Sequence, residues 1–177
     1  LIGRRGPLPK EEVVSILGQV CHGLAAAHAA GIVHRDLKPE NIFLAQSRRA
    51  QESFTVKILD FGIAKVVEAA RGSNTGAIGS PLWMAPEQTE AQSQVSPATD
   101  IWALALLAFY VLTGKYYWRS CNDPNANVTA LMRELLFEPL VPASERARAL
   151  GLETLAILEA RAYRTPAGRT VALGERI

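Results

Sequence analysis

The stretch His34-Arg35-Asp36-Leu37-Lys38-Pro39-Glu40-Asn41 decides how the rest of this chain is read. It holds a carboxylate, a cation two positions on, and an amide oxygen three further. Pro39 breaks regular structure, which places these groups on a loop. Two more polar motifs follow in order, Asp60-Phe61-Gly62 and Ala85-Pro86-Glu87. Phosphoryl transfer needs parts of these kinds. A carboxylate orients the attacking hydroxyl and takes its proton, hard oxygen ligands hold Mg²⁺, and a cation meets charge on the transferred group. Asp36 fits the first need, Asn41 and Asp60 the second, and Lys38 the third.

Working outward, the residues before this stretch read KEEVVSILGQVCHGLAAAHAA, positions 10–30. Val13, Ile16, Leu17, Val20 and Leu24 keep helical spacing, and Glu11 and Glu12 lie in the first turn, where the helix dipole favours negative charge. Gly31 is the stop. His22 and His28 on this helix read as ordinary polar residues. After the loop come two β-rich runs, Ile42-Phe43-Leu44 and Phe54 to Leu59, joined by a polar segment from Gln46 to Ser53. The pattern predicts a hairpin, with Arg48 and Arg49 on its solvated tip. From Ile63 to Trp83 there is little periodicity, and a long irregular segment in a folded domain is usually functional or mobile. Ser96-Pro97 then opens a helix, Ser as N-cap and Pro in its first turn. Further helices are expected from Val128 to Phe137 and, more weakly, from Ser144 onward.

Composition bounds the rest. The chain has 177 residues, 49% of them apolar and 20% charged, which is globular and argues against disorder. A net charge of +2 is too small to imply a nucleic-acid partner. Cys21 and Cys121 form neither a C-x-x-C pair nor a disulfide framework, so a reducing cytoplasm is the natural setting. No basic n-region followed by an apolar stretch opens the chain, so no signal peptide is expected in these residues. The uncharged run Ile101 to Leu112 falls short of the roughly 20 residues that span a bilayer, and is read as a buried core helix.

With these motifs in place, the chain resembles the protein-kinase family, specifically the eukaryotic-like (Hanks-type) serine/threonine kinases of bacteria. HRDLKPEN, DFG and APE occur in the family's order and at its separations, from the GPLP lead-in to the region around Leu152. The resemblance implies a mainly α fold: the large, C-terminal lobe of a kinase, with a small β-hairpin at the catalytic site. It implies ATP and Mg²⁺ as cofactors and a protein substrate. Asp36 resembles the catalytic base, and Lys38 the lysine beside the γ-phosphate. Asn41 and Asp60 resemble the metal-holding pair, and Phe43 the apolar floor under the adenine. Arg35 resembles the arginine that pairs with a phosphorylated activation loop, for which Ser73 and Thr75 are candidate acceptors. Ser80 resembles the hydroxyl residue of the substrate-facing loop. His34, Phe61, Gly62, Asp100 and Trp102 match structural positions; the Asp of the D-x-W signature ties down the catalytic-loop backbone. Asp100 is also a first-turn carboxylate favoured by the helix dipole.

Three departures qualify the resemblance. Before His34 there is no G-x-G-x-x-G, and the sole lysine there, Lys10, has no V-A-I-K context, so the small lobe is expected to be absent from these residues. Ala105 stands where the family usually has glycine. From about Glu153 the expected final helical pair fades, although Pro166 and Arg169 resemble a P-x-x-R whose arginine pairs with Glu87. The chain is therefore read as one C-lobe unit over residues 1–177. Besides a protein kinase, a pseudokinase-like scaffold and a small-molecule phosphotransferase share parts of the pattern. Lys38 and Ala85-Pro86-Glu87 favour a protein substrate, and metal ligands have no use in a pure scaffold.

Overall fold

The computed structural model describes residues 8–46, 54–62, 81–89, 94–125 and 127–152, together with two short strands at 163–164 and 170–171. Helix α1 spans Lys10–Ala29 and buries Val13, Ile16, Val20 and Leu24, the stripe its spacing predicts. Beyond it the polar loop closes with a 3-10 turn, Pro39–Asn41, that leads into strand β1, Ile42–Gln46. Strand β2, Phe54–Ile58, returns antiparallel, with Ile42 opposite Ile58 and Gln46 opposite Phe54. The hairpin is thus present, with Gln46 inside a strand and Leu59 just beyond one. Arg48 and Arg49 lie outside the described residues. Gln19 on α1 accepts a hydrogen bond from Val56 N (2.8 Å), which fastens the hairpin to the helix.

Two more 3-10 turns, Pro81–Trp83 and Pro86–Thr89, carry the chain toward helix α2, Pro97–Thr113. Its start is the one the Ser-Pro pair predicts. Ser96 accepts from Ala98 N, and Thr99 completes a reciprocal capping box. Gly114 ends it at φ 69°, a left-handed conformation that suits glycine. Between these ends α2 buries residues on nearly every side, including Ala103, Leu104, Leu107, Phe109 and Val111, as a helix at the centre of a core must. No helix among the described residues is long and apolar enough to cross a membrane.

Helix α3, Val128–Phe137, and helix α4, Ala143–Ala149, complete the helical part. Strands β3, Tyr163–Arg164, and β4, Thr170–Val171, pair antiparallel. That second strand pair departs from the helical pattern expected after Ser144, where α4 is short. The fold is mostly helical with small two-stranded sheets. Cys21 and Cys121 are free thiols.

A buried ion pair joins the last helices. Glu134 on α3 is 4% exposed and accepts from Arg119 N (2.8 Å), Ser120 N (2.9 Å) and Ser120 Oγ (2.9 Å). Arg146 on α4 approaches it at 3.6 Å and lies over the Tyr117 ring, 4.9 Å from its centroid. Burial pushes the Glu134 carboxyl up, but the Ser120 and Arg119 donors and the Arg146 charge outweigh it and hold it below its ordinary value. A carboxylate depressed in the folded state adds stability above its unfolded value, and that stability is lost as pH falls through the folded one. Glu134→Gln should therefore be less stable than the wild type near pH 7, with the gap narrowing toward pH 3 in thermal melts. A gap that stays constant with pH would remove the ionised carboxylate from this account.

Candidate active site

The site is built on the first turn of α2. Asp100 is 1% exposed there, and a buried carboxylate is costly unless donors surround it. Its Oδ2 accepts from His34 N (2.8 Å) and its Oδ1 from Arg35 N (2.8 Å). His28 Nε2 lies 2.7 Å from Oδ2, and because a carboxylate only accepts, that nitrogen carries the shared proton. The polar loop is thus pinned to the core helix by its backbone, one residue ahead of Asp36.

Arg35 needs such pinning. Its φ of 67° is left-handed, which for a non-glycine residue costs about 1–3 kcal/mol and persists only where the surroundings enforce it. Asp60 has φ 52°, a conformation aspartate tolerates better. These two are the described non-glycine residues at positive φ, and both flank the polar constellation.

His34 joins the two motifs and is fully buried. Its Nε2 donates to Leu59 O (2.8 Å), which leaves Nδ1 to accept from Asp36 N (3.3 Å). The Phe61 ring packs 4.7 Å from its own. Gly62 N donates to His34 O (2.8 Å), and a Cβ at Gly62 would sit 2.7 Å from that oxygen, so only glycine fits. Leu59 N donates to Asn41 O (2.8 Å), continuing the hairpin register toward Asp60. These bonds hold Asp60-Phe61-Gly62 against the loop of Asp36.

Around Asp36 two side chains converge. Lys38 Nζ lies 2.7 Å from Asp36 Oδ2, both side chains being only partly exposed. Asn41 is buried and its Nδ2 donates to Asp36 O (2.8 Å), with Oδ2 at 3.4 Å. Because Asn41 uses its N–H group on Asp36, its Oδ1 is the end left to face a cation. With the exposed Asp60 carboxylate, this is a set of hard oxygens of the kind Mg²⁺ takes, so the residues present fit that ion. Phe43 on β1, two positions after Asn41, is 53% exposed.

The Ala85-Pro86-Glu87 segment is tied to the same helix. Glu87 Oε1 accepts from Thr99 Oγ1 (2.6 Å), one residue before Asp100. Arg169 and Pro166 lie outside the described residues, as do Ser73, Thr75 and Ser80. Arg35 Nε is buried without a hydrogen-bond partner among the described residues. Trp102 stacks on Trp118 (6.4 Å between centroids), and Trp118 Nε1 donates to Leu82 O (3.0 Å), fixing the turn that follows Ser80.

Sequence reasoning passed over His28 and Gln88. The signal for His28 was present: it continues the i+4 series Ile16, Val20, Leu24, so a polar ring falls on the buried stripe. Gln88 gave no such sign. Its Oε1 accepts from Ala85 N and its Nε2 donates to Arg35 O.

Comparison with known proteins identifies the class. The protein kinase domain matches residues 1–162, and the chain belongs to the protein kinase family. Within that family it groups with the Hanks-type serine/threonine kinases of bacteria. It is 50% identical to serine/threonine-protein kinase Pkn1 of Myxococcus xanthus over 111 residues, 62% of this chain and 16% of that protein. It is 41% identical to serine/threonine-protein kinase PknL of Mycobacterium tuberculosis over 115 residues, 64% of this chain and 27% of that protein. Against the serine/threonine-protein kinase drp72 of Corynebacterium efficiens the identity is 31% over 173 residues, 97% of this chain and 31% of that protein. The chain therefore spans less than a third of the length of each of these relatives.

The pinning by Asp100 has a measurable cost of removal. Asp100→Ala leaves the buried N–H of His34, the half-buried N–H of Arg35 and the His28 ring without their acceptor, at about 1–3 kcal/mol each. The variant should lose at least about 3 kcal/mol of stability by denaturant titration. A loss below roughly 1 kcal/mol would show that the carboxylate is dispensable to the loop.

Proposed function

We propose that these residues are the large lobe of a serine/threonine protein kinase, which transfers the γ-phosphate of ATP to serine or threonine hydroxyls of proteins. The observation that carries this reading is the convergence of Lys38 and Asn41 on Asp36 in a loop whose backbone is pinned by Asp100. In this reading Asp36 orients the acceptor hydroxyl and takes its proton, its carboxylate held in place by the amide of Asn41. Lys38 brings a cation beside the group in transfer, and its ion pair with Asp36 keeps both side chains at one spot. Asn41 and Asp60 hold Mg²⁺, which when bound neutralises charge on the phosphates. Phe43 supplies an apolar surface for the adenine. Ser80 belongs to the segment that receives the protein substrate.

Regulation follows from the same residues. Phosphate on Ser73 or Thr75 would give Arg35, whose Nε has no hydrogen-bond partner among the described residues, a charge-assisted contact. The glycine-rich lid and strand lysine that close an ATP site come, in this reading, from a small lobe outside the 177 residues. The isolated chain then binds ATP–Mg weakly and turns over negligibly.

Two measurements test this. Incubated alone with ATP–Mg and a generic protein substrate, the 177-residue chain should give no phosphorylation above background; measurable transfer would overturn the division of labour between lobes. In the longer, two-lobed protein, Asp36→Asn should abolish transfer while the far-ultraviolet circular dichroism stays that of the wild type. Retained activity in that variant would take Asp36 out of the role of base.

A further inference from the structure

Arg35 stands between two peptide groups, and both are held from outside the loop. The N–H of Arg35, in the peptide before it, donates to Asp100 Oδ1 (2.8 Å). The carbonyl of Arg35, in the peptide that runs into Asp36, accepts from Gln88 Nε2 (2.8 Å). Fixing the planes on either side of one residue fixes its φ and ψ, here the left-handed pair with φ 67°. Asp100 does not reach the second plane, which within the loop is held by the longer bond from Asp36 N to His34 Nδ1 (3.3 Å). A rotation there would swing the N–H of Asp36 away from His34 Nδ1 and carry the Asp36 side chain with it.

The other end of Gln88 is equally committed. Its Oε1 accepts from Ala85 N (3.0 Å), and its own N–H donates to Ala85 O (2.9 Å), so Gln88 is seated on the turn that opens Pro86–Thr89. Ala85 is fully buried. One side chain therefore spans from the segment just after the Pro81–Trp83 turn to the peptide just before Asp36. No ordinary apolar or charged side chain of this length does both jobs, since one end must accept from a backbone N–H and the other donate to a backbone carbonyl.

We infer that Gln88 is a positioning residue, which holds the strained Arg35–Asp36 peptide in place and sets its distance from the substrate-receiving segment through Ala85. The inference rests on the kinase reading above. In the two-lobed protein, Gln88→Glu keeps an acceptor for Ala85 N but loses the donor to Arg35 O, whereas Gln88→Leu loses both. Both variants should lower kcat about 10- to 100-fold, the size expected when a reacting group is misplaced by an ångström or less. KM for ATP should stay at the wild-type value. A residue that merely packs the turn would leave Gln88→Glu with wild-type kcat, and that result overturns the inference.

A second readout needs no turnover. Amide hydrogen exchange in the 177-residue chain should show Asp36 N exchanging faster in both variants, and Ala85 N faster in Gln88→Leu alone. Unchanged exchange at Asp36 in both would overturn the bridge whether or not the protein is a kinase. A two-lobed wild type without transferase activity but with the expected exchange pattern would sink the functional reading and keep the positioning one.

Discussion

A carboxylate buried in the first turn of the central helix carries more of this structure than any other single group. Asp100 could not be hidden there uncompensated, because stripping water from an ionised carboxyl costs several kcal/mol (order of magnitude) unless donors replace it. The donors it finds are backbone N–H groups of His34 and Arg35 and the ring of His28. The electrostatic need of the core helix and the conformational need of the polar loop are met by the same bonds. Neither is satisfied locally: the loop's own sequence would relax Arg35 out of its left-handed conformation, and the helix alone offers Asp100 no such set of partners.

From that anchor the other parts take their positions in turn. His34, held at its backbone by Asp100, uses its ring to hold Leu59 and Asp36 and its carbonyl to hold Gly62. The hairpin brings Asn41 and the segment ending in Asp60 together through Leu59 N. Thr99, the neighbour of Asp100, holds Glu87. Three motifs far apart in the chain are thus referred to one turn of one buried helix. A helix packed on nearly every side moves little, which makes it a suitable reference for groups that must meet within tenths of an ångström.

Much of this was legible before the fold was known, and for identifiable reasons. The apolar stripe of α1, the Ser96-Pro97 start of α2 and the extent of α3 all follow from local rules of spacing and capping. The motif residues Asp36, Lys38, Asn41 and Asp60 stood out because few other chemistries want those groups at those separations. What stayed hidden depends on the path of the backbone. His28 and Asp100 are 72 positions apart and Arg35 and Gln88 are 53, and no periodicity links them. Arg146 is 6% exposed because Glu134 and the Tyr117 ring receive it, and nothing local in the sequence marks it as buried. The β3–β4 pair is two residues long on each side, too short to leave a pattern.

The central claim is that Asp100 acts on chemistry through the loop it pins. Asparagine at position 100 keeps the shape and one acceptor oxygen but turns an N–H₂ group toward donors, so one of the held N–H groups loses its partner. On the proposed kinase reading, the decisive measurement is single-turnover phosphoryl transfer at saturating ATP–Mg in a longer protein that joins these residues to a kinase small lobe and carries Asp100→Asn. The account predicts a rate at least about 10-fold below wild type with nucleotide affinity unchanged. A wild-type rate in that variant would contradict it.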